Sequence, residues 1–173
     1  MNKDSGVSPV IGVLLMLTLT LIIAAIVNSF AGGLVDTEVK PPSVTLQATL
    51  HQHHDDPTNA SLLITHVSGD PLPVSDLSVI LKPSRTFGSN AENSFSEINK
   101  ANITNNGTYQ KTWAHGITSM KVGETHGIFG DANISKINPE FDLMKEKYQG
   151  NTFYLELYYD RNLIAKPEVL IQG

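Results

Sequence analysis

Val10-Ile11-Gly12-Val13-Leu14-Leu15-Met16-Leu17-Thr18-Leu19-Thr20-Leu21-Ile22-Ile23-Ala24-Ala25-Ile26-Val27 is a run of 18 residues, apolar except at Gly12, Thr18 and Thr20. It lies within a longer stretch, Val7 to Val35, that carries no charged side chain. As an α-helix, 18 residues rise about 27 Å, close to the roughly 30 Å hydrocarbon core of a bilayer. Continued to Val35 the helix reaches about 43 Å and emerges on the far side. Its start is punctuated. Ser8 is placed to cap an orphan N–H of the first turn, and Pro9 suits the first helical position, where no N–H is needed. Ala31-Gly32-Gly33 lets the helix stop. Each threonine hydroxyl can bond back to a carbonyl one turn earlier, so neither spoils an apolar surface. On composition the run reads as a membrane span rather than as the buried helix of a soluble core.

Outward from this run the chain changes character. The remaining 138 residues, Asp36 to Gly173, suffice for one domain with its own core. The formal net charge is −5. Lys3 and Asp4 cancel, so all of it belongs to the C-terminal region. An acidic domain disfavours nucleic acid and anionic membrane surfaces as partners. Cysteine is absent, which excludes disulfides and thiolate chemistry.

Pro41-Pro42 stiffens the exit from the helix. Alternating apolar and polar residues then predict strands at Ser43 to Leu50, Ala60 to Val67 and Leu77 to Leu81, the second placing Leu62, Ile64 and His66 on one face. Ser68-Gly69-Asp70-Pro71 is strong turn chemistry. Ser84 to Gly107 reads as a long polar loop with at most a helical turn. Short strands are expected at Tyr109 to Trp113, Ser119 to Val122 and Thr125 to Phe129, and a turn of helix within Asn138 to Tyr148. A hairpin closes the chain: Thr152 to Tyr159, a turn at Asp160-Arg161-Asn162, and a return over Leu163 to Ile171, with Pro167 favouring an edge position. About seven short strands with frequent turns argue for an antiparallel β-sandwich, giving an α+β chain of one long helix and a β head.

The string Asp4-Ser5-Gly6-Val7-Ser8-Pro9-Val10-Ile11-Gly12-Val13-Leu14-Leu15-Met16 closely resembles the N-terminus of archaeal type IV pilins: a short polar leader, a small residue at the cut, then a Val-Ser-Pro-Val-Ile-Gly opening. Thr65-His66-Val67-Ser68-Gly69-Asp70-Pro71-Leu72 resembles, more loosely, a strand and Gly-Asp turn of the same family's head. The sequence departs from related patterns at two places. Ser5 stands where many archaeal leaders carry Lys or Arg, and Ile11 stands where bacterial pilins favour Glu, which argues for the archaeal branch. The resemblance implies a class III signal peptide over residues 1–6, cut by a prepilin peptidase between Gly6 and Val7. It further implies a filament-core helix over residues 7–35, a linker over 36–42, and an immunoglobulin-like extracellular head over 43–173. A conventional secretory signal is the competing reading, with Ser29-Phe30-Ala31 at the cut; its apolar run is longer than such signals carry, and Asp4 sits in the region that should be basic.

The residues offer little chemistry. His51, His53, His54, Asp55 and Asp56 form the one metal-like cluster, but the spacing matches no zinc signature and the stretch reads as a solvated turn. No nucleophile elbow or phosphate-binding glycine loop is present. Trp113 reads as core or interface rather than a ligand platform. Neither a cofactor nor a catalytic residue is expected. Four Asn-x-Ser/Thr acceptors, Asn59, Asn102, Asn106 and Asn133, fall in the head, in predicted loops, against about two expected by chance. The resemblance implies N-glycosylation of such sites.

The expected function is therefore a structural pilus subunit, not an enzyme. It would sit in the cytoplasmic membrane before assembly and in a surface filament, serving adhesion or cell–cell contact, afterwards. The helix would join copies of the chain into a homo-oligomer, with Gly12, Ala24 and Ala25 letting backbones approach, and the pilus assembly machinery would be a further partner. The alternative is a monomeric, membrane-anchored extracellular binding domain; an anchored hydrolase has no support in the residues.

Overall fold

The computed structural model describes residues 9–33, 40–53, 55–105, 107 and 110–173. The chain divides into two compact units, Met1–Lys40 and Pro41–Gly173. The described part of the first is a single helix, α1 (Pro9–Gly33), of 25 residues. Thr18 and Thr20 donate their hydroxyls to the carbonyls of Leu15 and Leu17, both at 2.9 Å, which removes the polar cost of each in an apolar setting.

The second unit is built on eight strands: β1 (Val44–His51), β2 (Ser61–Gly69), β3 (Leu77–Pro83), β4 (Ser96–Glu97), β5 (Thr125–Phe129), β6 (Thr152–Tyr159), β7 (Asn162–Ala165) and β8 (Glu168–Gln172). Period-two alternation puts Leu46, Ala48 and Leu50 of β1, Leu62, Ile64 and His66 of β2, and Leu77, Val79 and Leu81 of β3 on buried faces. Phe153, Leu155 and Leu157 of β6 join them in one core with Trp113, Met120, Val169 and Ile171. Hydrogen bonding runs in the order β4-β3-β6-β8-β1-β2-β5, with β7 on β6. The strands thus form one continuous mixed sheet, not two separately paired ones.

β8 makes that continuity. Its first half pairs antiparallel with β6, Phe153 standing opposite Val169. Its end runs parallel to β1, Leu50 opposite Ile171 and His51 opposite Gln172. This parallel step corrects the wholly antiparallel expectation. Pro167 is corrected with it. The expected single return strand is broken at Lys166-Pro167 into β7 and β8, and β8 is central in the sheet. Pro167 has no N–H for the ladder, yet its carbonyl accepts from Leu155 N at 3.0 Å, so the chain passes through the interruption without leaving β6.

Two more expected strands are single bridges. Met120 exchanges backbone bonds with Leu72, at 2.9 and 2.8 Å, and Val74 N donates to Thr118 O. Pro71 and Pro73 flank Leu72 and supply no donors, so the ladder cannot lengthen. Thr112 makes bridges only to Thr104 and Gly116; Tyr109 lies outside the described residues. The long loop after β3 holds three 3₁₀ turns and the two-residue β4. A four-residue helix, α2 (Asp131–Ile134), follows β5, where a loop was expected, and the Asn138 to Tyr148 stretch ends in a 3₁₀ turn.

Candidate functional site

Every side chain of α1 from Pro9 to Ala31 is exposed, and neither its first nor its last turn carries a charge. An amphipathic helix hides one stripe; this one has no polar face to leave in water. Over Pro9–Ala31, 23 residues, it is long and apolar enough to cross a membrane.

The small residues singled out in the sequence sit around this helix rather than along one line. At about 100° per residue, Ala24 lies roughly 120° and Ala25 roughly 220° around the axis from Gly12. A Cβ added at Gly12 meets nothing within 4 Å. Close approach is therefore open from three sides. Gly6, Val7 and Ser8 lie outside the described residues, as do residues 34–39, the end of the expected helix and the start of the linker.

Where the head begins, Ser43 follows Pro41-Pro42 and is held by the turn that ends β2. Asp70 N–H donates to Ser43 O at 2.9 Å, and Ser43 N–H donates to Asp70 Oδ2 at 3.0 Å. Gly69 takes φ +113°, and a Cβ there would collide with the Ser43 carbonyl, so glycine is required both by conformation and by close approach. The sequence marked Gly69-Asp70 as a turn; its partner 27 positions away had no local signal.

The glycosylation acceptors differ in access. Asn59 is exposed at the end of the 3₁₀ turn Pro57–Asn59, its Nδ2 donating to Asp56 Oδ2 at 2.8 Å. Asn102 is half-buried, and both Ile103 and Thr104 after it are fully buried. Asn133 lies in α2, not in a loop, half-buried and donating from Nδ2 to Phe129 O at 2.8 Å. Asn106 lies outside the described residues. In the histidine-rich stretch, Asp56 spends its carboxylate on Thr58 and Asn59, His53 and Asp55 are exposed, and His54 lies outside the described residues. Hydrogen bonds from Thr58 hold Asp56 below the usual carboxylate range. Among the described residues no group of three His, Asp or Glu is placed to hold a metal ion.

A polar knot lies on β6. Glu156 Oε1 meets Lys166 Nζ at 2.8 Å, Tyr158 donates its hydroxyl to Glu156 Oε2 at 3.0 Å, and Lys166 stands 4.8 Å from the centroid of the Tyr154 ring. The bond to Lys166 is the main reason Glu156 is held below, and Lys166 above, its ordinary pKa.

Comparison with known sequences bears on the helix. Residues 5–46 match the family model described as archaeal type IV pilin, N-terminal. An uncharacterized protein of Archaeoglobus fulgidus is 35% identical over 79 residues, which is 45% of this chain and 52% of that protein. The chain thus spans about half the length of that relative. The matched segment covers α1 and the start of β1, so this part of the chain is similar to the N-terminal region of archaeal type IV pilins.

Proposed function

We propose that this chain is the structural subunit of an archaeal type IV pilus, polymerising through α1. The observation that carries this reading is a charge-free, 25-residue helix, exposed all round from Pro9 to Ala31, within the segment that matches the pilin N-terminal family. Such a surface needs apolar surroundings. Lipid supplies them in the cytoplasmic membrane; neighbouring copies of the helix supply them in a filament. The leader, residues 1–6, is removed by a prepilin peptidase between Gly6 and Val7, and the assembly machinery then moves the subunit from membrane to filament. The linker spans 36–42 and the head 43–173, outside the filament core, where it serves adhesion or cell–cell contact. The subunit needs no cofactor and performs no catalysis.

The competing reading is a lone membrane-anchored binding domain, for which lipid contact suffices. The placement of Gly12, Ala24 and Ala25 on three sides of the axis favours the polymer, because lipid offers no shape for small residues to match. The deciding experiment is to shear filaments from cells and sequence the N-terminus of this chain in them. The polymer reading expects Val7. It fails if no sheared filament contains the chain, and the cleavage assignment fails if the chain begins at Met1 or Gly32.

A further inference from the structure

A tryptophan indole has one polar atom, and it only donates. Trp113, fully buried, donates Nε1–H to His126 Nδ1 at 2.7 Å. The imidazole therefore presents a lone pair at Nδ1 and carries its proton on Nε2, which fixes it as neutral. Nε2 is buried and, among the described residues, has no hydrogen-bond partner. Glu124 Oε2 lies 3.8 Å from it, too far for a hydrogen bond but near enough to attract a charge. His126 thus stands between one partner suited to its neutral form and another suited to its charged form.

What the contact holds is a strap, residues 110–123, laid along the sheet. Trp113 N donates to Ile103 O, Val74 N to Thr118 O, and Met120 pairs with Leu72. Its own Met120 and the two residues it pairs with, Leu72 and Ile103, are fully buried. On β2, Ile64 stands opposite His126, and His66 follows two residues later, its ring nitrogens 3.3 Å from Met120 O and 3.2 Å from Ser68 O. Among the described residues, the titratable groups around His126 are Glu124 beside its own strand and His66 on β2. From the strap, Lys121 meets Glu124 through its backbone N–H, at 2.7 Å.

We propose that Trp113 and His126 form a proton-operated latch: protonation of His126 frees the strap and uncovers the apolar floor beneath Trp113. One proton taken up at Nδ1 removes the only lone pair that Trp113 engages there and sets two N–H groups against each other. The imidazolium then turns its Nε2–H toward Glu124. Burial holds His126 below its ordinary 6.5, and Glu124 opposes that shift. The latch is therefore closed above the ordinary value and opens as pH falls through the lowered one. This inference is independent of filament assembly.

Trp113 is the single tryptophan, so its emission reads this site in the full chain in detergent. Acrylamide quenching of Trp113 is followed from about pH 8 to about pH 4, the span in which a histidine changes charge, with far-ultraviolet circular dichroism in parallel. The expected result is a severalfold, reversible rise in quenching with a midpoint below 6.5 and an unchanged circular dichroism spectrum. His126→Gln keeps a carbonyl acceptor without a titrating group and removes the transition. Glu124→Gln, at a partly exposed position, moves the midpoint to lower pH and serves as the second test should His126→Gln fold poorly. Quenching that stays flat, a transition that survives His126→Gln, a midpoint indifferent to Glu124→Gln, or loss of the β signal at the same pH each overturns the latch.

Discussion

Asp70 holds Ser43 at both ends of its backbone: its N–H meets the Ser43 carbonyl at 2.9 Å and its carboxylate meets the Ser43 N–H at 3.0 Å. The first strand is thereby fixed where the diproline delivers it, and the turn after β2 becomes a brace for the entry to the head. Asp70→Ala removes the acceptor and leaves the backbone bond. We expect a loss of about 1 kcal/mol, the usual net value of one such bond, seen as a Tm lower by a few degrees in Trp113 emission. Gly69→Ala should cost more, since it strains φ and drives a methyl into the Ser43 carbonyl. If Gly69→Ala is as stable as the unaltered chain, the brace does not exist as described.

Bulky apolar substitutions in α1 separate polymer from plain anchor. Gly12→Leu and Ala24→Phe leave the helix insertable, because each adds apolar surface. In a packed filament core, overfilling costs about 1–3 kcal/mol, which weakens subunit addition roughly fivefold to a hundredfold. Membrane fractionation should be unchanged and the yield of sheared filaments reduced. Equal yields across several such positions would falsify helix-to-helix packing.

The knot on β6 predicts a pH dependence. Glu156 is held low chiefly by Lys166, so in the window between its folded value and its ordinary 4.5 the unfolded chain binds more protons. The stability it contributes is present above that window and lost as pH falls through the folded value. Glu156→Gln keeps an acceptor for Tyr158 and removes the charge. Urea titrations should show the variant weaker by about 1 kcal/mol at neutral pH, a value set by the partly exposed lysine. The two proteins should converge in strong acid. A difference that persists at low pH would show the effect to be packing.

Among the described acceptors, Asn59 is the one that is exposed, and glycan should be found there in the native host. Asn102 and Asn133, themselves half-buried, should stay bare. Peptide mass spectrometry checks this directly. Bare Asn59 beside an occupied Asn102 would mean that the sugar is added before the head folds.

Much of this molecule is legible in its sequence because its signals are local. α1 is a matter of composition, and β5 and β6 keep the bounds read from the sequence, Thr125–Phe129 after the Gly123 turn and Thr152–Tyr159 from its alternation. What was hidden depends on partners distant in the chain. Nothing near Val169 or Ile171 announces that their strand leaves β6 for β1. Pro167 reads as an edge marker only if the strand containing it is continuous. His126 carries no sign of Trp113, 13 positions away, and Ser119 to Val122 reads as a strand until its partner proves to be interrupted by Pro71 and Pro73.

The central place of β8 bears on how the polypeptide matures at the ribosome. Among the described strands it comes last in chain order, and the two halves of the sheet are hydrogen-bonded to each other through it. Until residue 172 has emerged, β1 offers an open edge at Leu50 and His51, and β6 another at Thr152 to Tyr154. Open edges of this kind invite pairing with other chains. A chain stalled or clipped before Glu168 therefore keeps adhesive margins that β8 otherwise seals.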